Sequence, residues 1–278
     1  MMEAWQIALI VVGAVLLVLL ALWLFLIAPR RISKKKIAPF LRPYAHRGLW
    51  GGTEAPENSL AAFERAAAAG FAIELDIQLS KDSEVMVFHD STLARMCGRE
   101  GLVSDYTAAE LGAMTLGESE QCIPTLAAVL ATVAGRVPLL IELKGESFST
   151  ALVPVALRVL EGYEGLWCME SFNPLLLRAV RKQAPHAVRG LLVTDLIKDK
   201  NAGNKARNFA LGAMLLNFLC RPNFIAWNQK YPHSAARFFA TRVFGAASMC
   251  YTVKNQDDYR RHLKGGTCPI FDEFTPEQ

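Results

Sequence analysis

No two of the six cysteines in this 278-residue chain form a C-x-x-C pair. Cys97, Cys122, Cys168, Cys220, Cys250 and Cys268 stand singly, several in apolar runs, where cysteine behaves as a small buried hydrophobe. A structural zinc site and a disulfide framework are both disfavoured, and reduced core thiols fit a cytosolic location. No internal repeat and no low-complexity tract occurs. A Gly-rich dinucleotide loop is missing too: Gly48-Leu49-Trp50-Gly51-Gly52 is not G-x-G-x-x-G, which counts against a doubly wound open sheet. The net charge of +4 is small, and much of it sits in Arg30, Arg31, Lys34, Lys35 and Lys36. Basic residues are not spread over a face with aromatics between them, so no nucleic-acid partner is expected.

The last absence is charge between Ile7 and Ala28. A helix there would cross a hydrocarbon core of roughly 30 Å. Trp5 and Trp23 lie near its ends, where aromatic belts form. A cleaved signal peptide would have a basic start and a shorter apolar core, whereas this chain starts Met1-Met2-Glu3. Residues 1–29 are therefore expected to be a transmembrane anchor, with the membrane partner contacted through 7–28. Residues 30–42 would be a basic connector. The nearby Lys and Arg all follow the span, which places the remainder in the cytoplasm as a single-pass cell-membrane protein.

Residues 43–278 alternate strand-like and helix-like runs. Strands are expected at 44–46, 72–77, 85–89, 137–143, 166–169, 188–193, 223–227, 247–253 and 269–271. Helices are expected between them. Asn58 is a plausible cap for the Ala-rich helix at 59–69, Thr107 with Glu110 forms a capping box, and 206–219 reads as one helix. Such alternation implies a parallel sheet, and the length fits a (β/α)8 TIM barrel. There is one strand too many for eight slots, so one run must lie outside the barrel or merge with a neighbour.

Glu74 and Asp76 share one face of a strand whose other residues, Ile73, Leu75 and Ile77, are apolar. Two like-facing carboxylates repel unless a cation or a shared proton intervenes, and a hard ion with oxygen ligands, Ca2+ or Mg2+, is the natural partner. His46 and His89 end neighbouring strand-like runs and are suited to proton transfer. Arg47 offers a planar fork for phosphate oxygens, and Gly48 would let backbone approach a ligand closely.

These residues occur with Pro56-Glu57-Asn58-Ser59, Lys81-Asp82, Phe88-His89-Asp90, Ile123-Pro124-Thr125-Leu126, Ile141-Glu142-Leu143-Lys144, Ser171-Phe172 and Tyr251-Thr252-Val253. In that order, from about Pro43 to about Glu273, they resemble the glycerophosphodiester phosphodiesterase family. The resemblance implies a metal-dependent hydrolase that splits glycerophosphodiesters into sn-glycerol 3-phosphate and an alcohol. It implies Glu142 as the third metal ligand and Lys144 on the phosphate. It also implies His46 as general base and His89 as general acid, and a glycerol hydroxyl as nucleophile that gives a cyclic phosphate. Glu57, Phe172, Trp227 and Tyr251 are further candidates for the substrate. The late segment departs from the family pattern, reading Phe271-Asp272-Glu273-Phe274 where Thr-Asp usually precedes Pro.

The anchor also makes a lysophospholipase D acting on membrane lysolipids a credible alternative, and a non-catalytic binding module a third reading. The stretch 196–222, with Lys198, Lys200, Lys205 and Arg207, is longer than simple members need and reads as a membrane-facing or lid element.

Overall fold

Alternating side-chain direction along the strands sorts residues to two buried sides of one sheet. Within Ala72–Leu79, Glu74 and Asp76 point to one side, and Ile73, Leu75 and Ile77 point to the other, into a helical layer. The computed structural model describes residues 3–145, 148–199 and 204–277. Residues 1, 2, 146, 147 and 278 of the expected segments, and 200–203 of the expected lid, lie outside the described residues.

The strands are β1 (Tyr44–Ala45), β2 (Ala72–Leu79), β3 (Val85–Val87), β4 (Leu139–Leu143), β5 (Trp167–Ser171), β6 (Arg189–Val193), β7 (Phe224–Asn228), β8 (Ala247–Val253) and β9 (Cys268–Phe271). Their order is β1-β9-β8-β7-β6-β5-β4-β2, closed by β1–β2 pairing, and all of these pairs are parallel. This is a closed (β/α)8 barrel. The surplus strand is β3, which returns antiparallel along the far end of β2, with Ile77 opposite Val87. His89 therefore does not end a barrel strand, as expected from its sequence position. The hairpin carries it back to the mouth, where Phe88 N–H donates to the Asp76 carbonyl at 3.0 Å.

The largest apolar cluster lies between barrel and helices. Ile73, Leu75, Leu139 and Ile141 meet Phe63, Val129, Val153 and Val180 there. Each such buried side chain contributes ~1.5–3 kcal/mol relative to exposure. A second cluster fills the barrel's lower end, with Tyr44, Leu140 and Phe224 inside. Ile37 and Phe40 belong to it, so the basic connector is not a free linker but a plug beneath the barrel. It also contains helical turns, Lys34–Ile37 and Ala38–Phe40, because Pro39 sits at the start of its turn, where a missing N–H is harmless.

Local expectations hold in part. Thr107 and Glu110 form the capping box, and Thr125 caps the helix Leu126–Val133. Ser59, not Asn58, caps the helix Leu60–Ala68 by accepting from Ala62 N–H. The run 206–219 is two helices, Lys205–Gly212 and Asn217–Cys220, broken where Met214 takes φ 57°. Gly48 is required by packing rather than by a ligand: its φ is +86°, and a Cβ would lie 2.9 Å from Ala62.

The N-terminal helix α1 spans Ala4–Ile27 with mean hydropathy 3.2, long and apolar enough to cross a membrane by length and composition. Most of it is exposed, but Ile27 is fully buried, and Trp23 and Leu24 pack with it beside Leu177, Met214 and Ala240. Its last carbonyls are capped from the barrel side. Asn217 donates to Ile27 O at 2.8 Å, and Arg221 donates to Phe25 O at 3.1 Å and Ala28 O at 2.9 Å. A cation at a helix C-terminus also favours the helix dipole.

Candidate active site

The barrel places inward side chains of β2 and β4 at equal height, with Asp76 in register with Glu142. Glu74, Asp76 and Glu142 offer carboxylate oxygens all within 4.8 Å of one another, and all three are buried. Lys144, two residues after Glu142, reaches into the cluster. Its Nζ lies 2.9 Å from Asp76 Oδ1 and 3.0 Å from Glu142 Oε1. The ammonium thus stands where several buried negative charges demand a cation.

The electrostatics follow from burial and charge. Burial, then Asp76 and Glu142, push Glu74 well above the usual carboxylate range. Burial raises Glu142 to about 7, with Lys144 opposing and Asp76 adding. For Asp76 burial acts upward, but Lys144, His89 and Arg47 together hold it far below its ordinary value. Such a set of hard oxygen donors with unequal proton affinities fits one divalent ion of the Ca2+ or Mg2+ kind.

The two histidines have matching partners. Asp272 Oδ2 accepts from His46 Nδ1 at 2.9 Å, and Asp90 Oδ1 accepts from His89 Nδ1 at 2.6 Å. A carboxylate at Nδ1 fixes the tautomer and leaves Nε2 for chemistry. His46 Nε2 lies 4.0 Å from Glu74 Oε2. Burial lowers the proton affinity of His89, and Lys144 and Arg47 act the same way against Asp76.

Arg47 belongs to a chain of charges. Its backbone N–H donates to Glu74 Oε2 at 2.9 Å, and its Nη1 donates to Glu57 Oε1 at 2.9 Å. Arg95 grips both Glu57 oxygens, at 2.6 and 2.9 Å, and Asp90 Oδ2 at 2.5 Å. An unbroken sequence Arg47–Glu57–Arg95–Asp90–His89 ties the Arg47 guanidinium to one histidine. Burial would raise Glu57, yet Arg95 and Arg47 outweigh it and keep the carboxylate ionised.

A cavity of about 170 Å³ opens over these groups. His46, Arg47, Glu74, His89, Glu142 and Lys144 line its polar side, and Phe172, Leu192, Tyr251 and Ile270 line the other. The rings of Phe172 and Tyr251 meet edge to face at 6.0 Å.

Nine of the eleven expected site residues therefore converge on this cavity or its acidic floor. Glu57 does not line it, because both its oxygens are held by arginines, and its place is to position Arg47. Trp227 points out of the barrel instead. Its indole N–H donates to Ser248 Oγ at 3.1 Å, and Arg237 stacks 3.9 Å from its ring. The reason is strand parity: Phe224 and Ala226 of β7 take the inward positions. Sequence reasoning missed four groups. Asp90 was signalled by adjacency to His89 and Asp272 by the altered late segment. Arg95 and Glu170 had no local signal. Asn58, expected as a cap, instead donates to Asp76 Oδ2 at 2.9 Å.

A parallel barrel with an acidic cluster able to hold a cation, two carboxylate-backed histidines and a cavity lined by Arg47 and Lys144 has the features of a phosphodiester hydrolase. The family comparison gives the specific member of that class. Residues 46–275 match the model of the glycerophosphoryl diester phosphodiesterase family. The chain is 30% identical over 234 residues to the glycerophosphodiester phosphodiesterase of Caldanaerobacter subterraneus subsp. tengcongensis, covering 80% of this chain and 89% of that one. It belongs to this family and is an enzyme of its class. The fold is shared with an Oleispira antarctica phosphodiesterase solved with the product sn-glycerol-3-phosphate, at TM-score 0.68 and 23% identity, covering 84% of this chain and 93% of that one. A lysophospholipase D of Rattus norvegicus is 40% identical over 91 residues, 32% of this chain and 28% of its own length.

Proposed function

We propose that this chain hydrolyses glycerophosphodiesters to sn-glycerol 3-phosphate and an alcohol by general acid–base catalysis. The observation that carries the reading is the pair of histidines, each with Nδ1 on a carboxylate, flanking one acidic cluster and one arginine. Arg47 and Lys144 face the phosphoryl oxygens and stabilise charge developing there. A neighbouring hydroxyl of the glycerol attacks phosphorus, giving up its proton to one histidine, while the other protonates the departing alcohol oxygen. Water then opens the cyclic phosphate with the two roles exchanged.

Burial lowers the proton affinity of His89, which suits it to serve as the base. His46 then serves as the acid, the reverse of the order expected from the sequence. A divalent ion held by Glu74, Asp76 and Glu142 would supply further neutralisation of the phosphoryl charge.

The anchor reading gives α1 a membrane span with the barrel on the cytoplasmic side, supported by Arg30, Arg31 and Lys34–Lys36 directly after it. Protection of the C-terminus from protease in right-side-out vesicles is expected, and digestion there rejects the orientation. A lysolipid substrate is the second reading. Phe172 and Leu192 are shared between the polar cavity and a small apolar one of about 40 Å³ lined by Leu196, Leu211 and Leu216. That hollow is far smaller than the polar cavity, which favours the deacylated diester.

The test is release of glycerol 3-phosphate from glycerophosphocholine, with and without chelator, beside His46→Ala and Glu74→Ala. Loss in all three is expected. Full activity in any one of them removes the mechanism, and faster turnover of a lysolipid than of the diester selects the second reading.

A further inference from the structure

Glu170 is absent from the three-carboxylate cluster, yet it sits one strand away on β5, in register with Glu142. It is 1% exposed and lines the same cavity. Its Oε2 has no hydrogen-bond partner among the described residues. A buried acceptor without a partner costs about 1–3 kcal/mol, and such groups persist mainly where a ligand meets them. Lys144, the nearest competitor for that role, is engaged with Asp76 and Glu142 instead. Leu192, Ile270 and the ring of Phe172 supply an apolar part of the same cavity wall.

We infer that Glu170 is a specificity-determining residue that hydrogen-bonds the terminal hydroxyl of the substrate's glycerol moiety. The inference rests on the glycerophosphodiester reading above and adds to it which end of the molecule lies deep in the barrel. Neighbouring strands are spaced by roughly 4.8 Å, about the reach of a three-carbon chain from a phosphate held over β2 and β4 to a group on β5. Both forms of a carboxyl group can meet a hydroxyl, the ionised one as acceptor and the protonated one as donor or acceptor. The apolar wall covers the carbon backbone. An acyl ester at that terminal oxygen removes the hydroxyl and brings a long chain against the β5 floor, so Glu170 selects deacylated diesters over lysolipids.

The experiment uses the full-length protein in detergent and two substrates. One is glycerophosphocholine. The other is its deoxy analogue, propane-1,2-diol phosphocholine, which keeps the attacking hydroxyl and lacks the terminal one. A site built around a hydroxyl discriminates strongly against its absence, so the wild type should prefer the first substrate by kcat/KM on the order of 100-fold or more. Glu170→Ala should reduce kcat/KM for glycerophosphocholine by a similar factor and leave the analogue within about 3-fold, erasing the preference. Glu170→Gln, which keeps a hydrogen-bonding group, should retain part of it.

Equal loss on both substrates with weakened Ca2+ or Mg2+ binding assigns Glu170 to the cation site and overturns the inference. Wild type that turns over both substrates equally overturns it even if neither variant folds. Wild type inactive on both overturns the functional reading itself, and this inference with it.

Discussion

Asp272 Oδ2 lies 2.9 Å from His46 Nδ1 across 226 positions of sequence. The contact joins the end of the last barrel strand to the end of the first, because β9 pairs with β1 as the barrel closes. Barrel closure and the orientation of the His46 ring are thus one event. Asp272→Asn keeps shape but offers Nδ1 a neutral partner and permits the wrong tautomer. The expected result is a fall in kcat of about 100-fold, within the range for a mispositioned acid–base group, with KM little changed. An equal rise in KM would place Asp272 on the substrate instead.

The second histidine sets the pH dependence. His89 must be neutral to accept a proton, and burial lowers its proton affinity below the ordinary value of 6.5. kcat/KM should therefore climb with pH below about 6.5, as His89 loses its proton, and remain high through neutrality. His89→Gln should erase that acidic limb from its residual activity. An acidic limb that survives in His89→Gln overturns the assignment of His89 as the base.

Much of this was legible in the chain, and the limits are physical. The period-2 alternation of side chains along a strand put Glu74 beside Asp76 and predicted their shared face, since strand parity depends only on neighbours. The surplus strand was countable, but which strand was surplus was not, because β3 is excluded by its antiparallel pairing with β2 rather than by composition. Trp227 was misplaced because the apolar run of β7 does not say which of its two faces turns inward, and Phe224 and Ala226 take that side. Arg95 carries no motif. Its role depends on the short Ala94–Cys97 helix lying over Glu57, a contact 38 residues apart in sequence.

Removing the cation should reveal the strain in the acidic cluster. Glu74, Glu142 and Glu170 all have proton affinities raised by burial, with Glu142 near 7 against an ordinary 4.5. The folded state holds these protons where the unfolded chain has released them. Their contribution to stability is complete below about pH 4.5 and is lost as pH rises to about 7 and beyond. His89 and His262, both lowered in the fold, oppose this only below about 6.5. In chelator, the melting temperature should fall between about pH 6.5 and about pH 8, and Ca2+ or Mg2+ at the upper pH should restore it. A chelated protein whose melting temperature rises across that window, or ignores both ions, contradicts a cation-binding cluster.

The apolar helix α1 makes a prediction about stability as well as location. Ile27 is fully buried against Leu177 and Met214, and Trp23 and Leu24 pack at the edge of the same cluster. Arg221 and Asn217 complete the junction by capping the helix's carbonyls, and Arg30 N–H continues it by donating to Pro222 O at 2.8 Å. The last turn of α1 is thus part of the barrel's outer core, while the turns before Trp23 touch little of it. A chain starting at Arg30 should lose at least about 2 kcal/mol from Ile27 and its neighbours, which for a domain of this size lowers the melting temperature by roughly 4–8 °C. A chain starting at Leu22 keeps the junction and should melt within about 2 °C of the full-length protein in the same detergent. If both truncations melt alike, the junction contributes nothing and the helix is attached to the barrel by the chain alone.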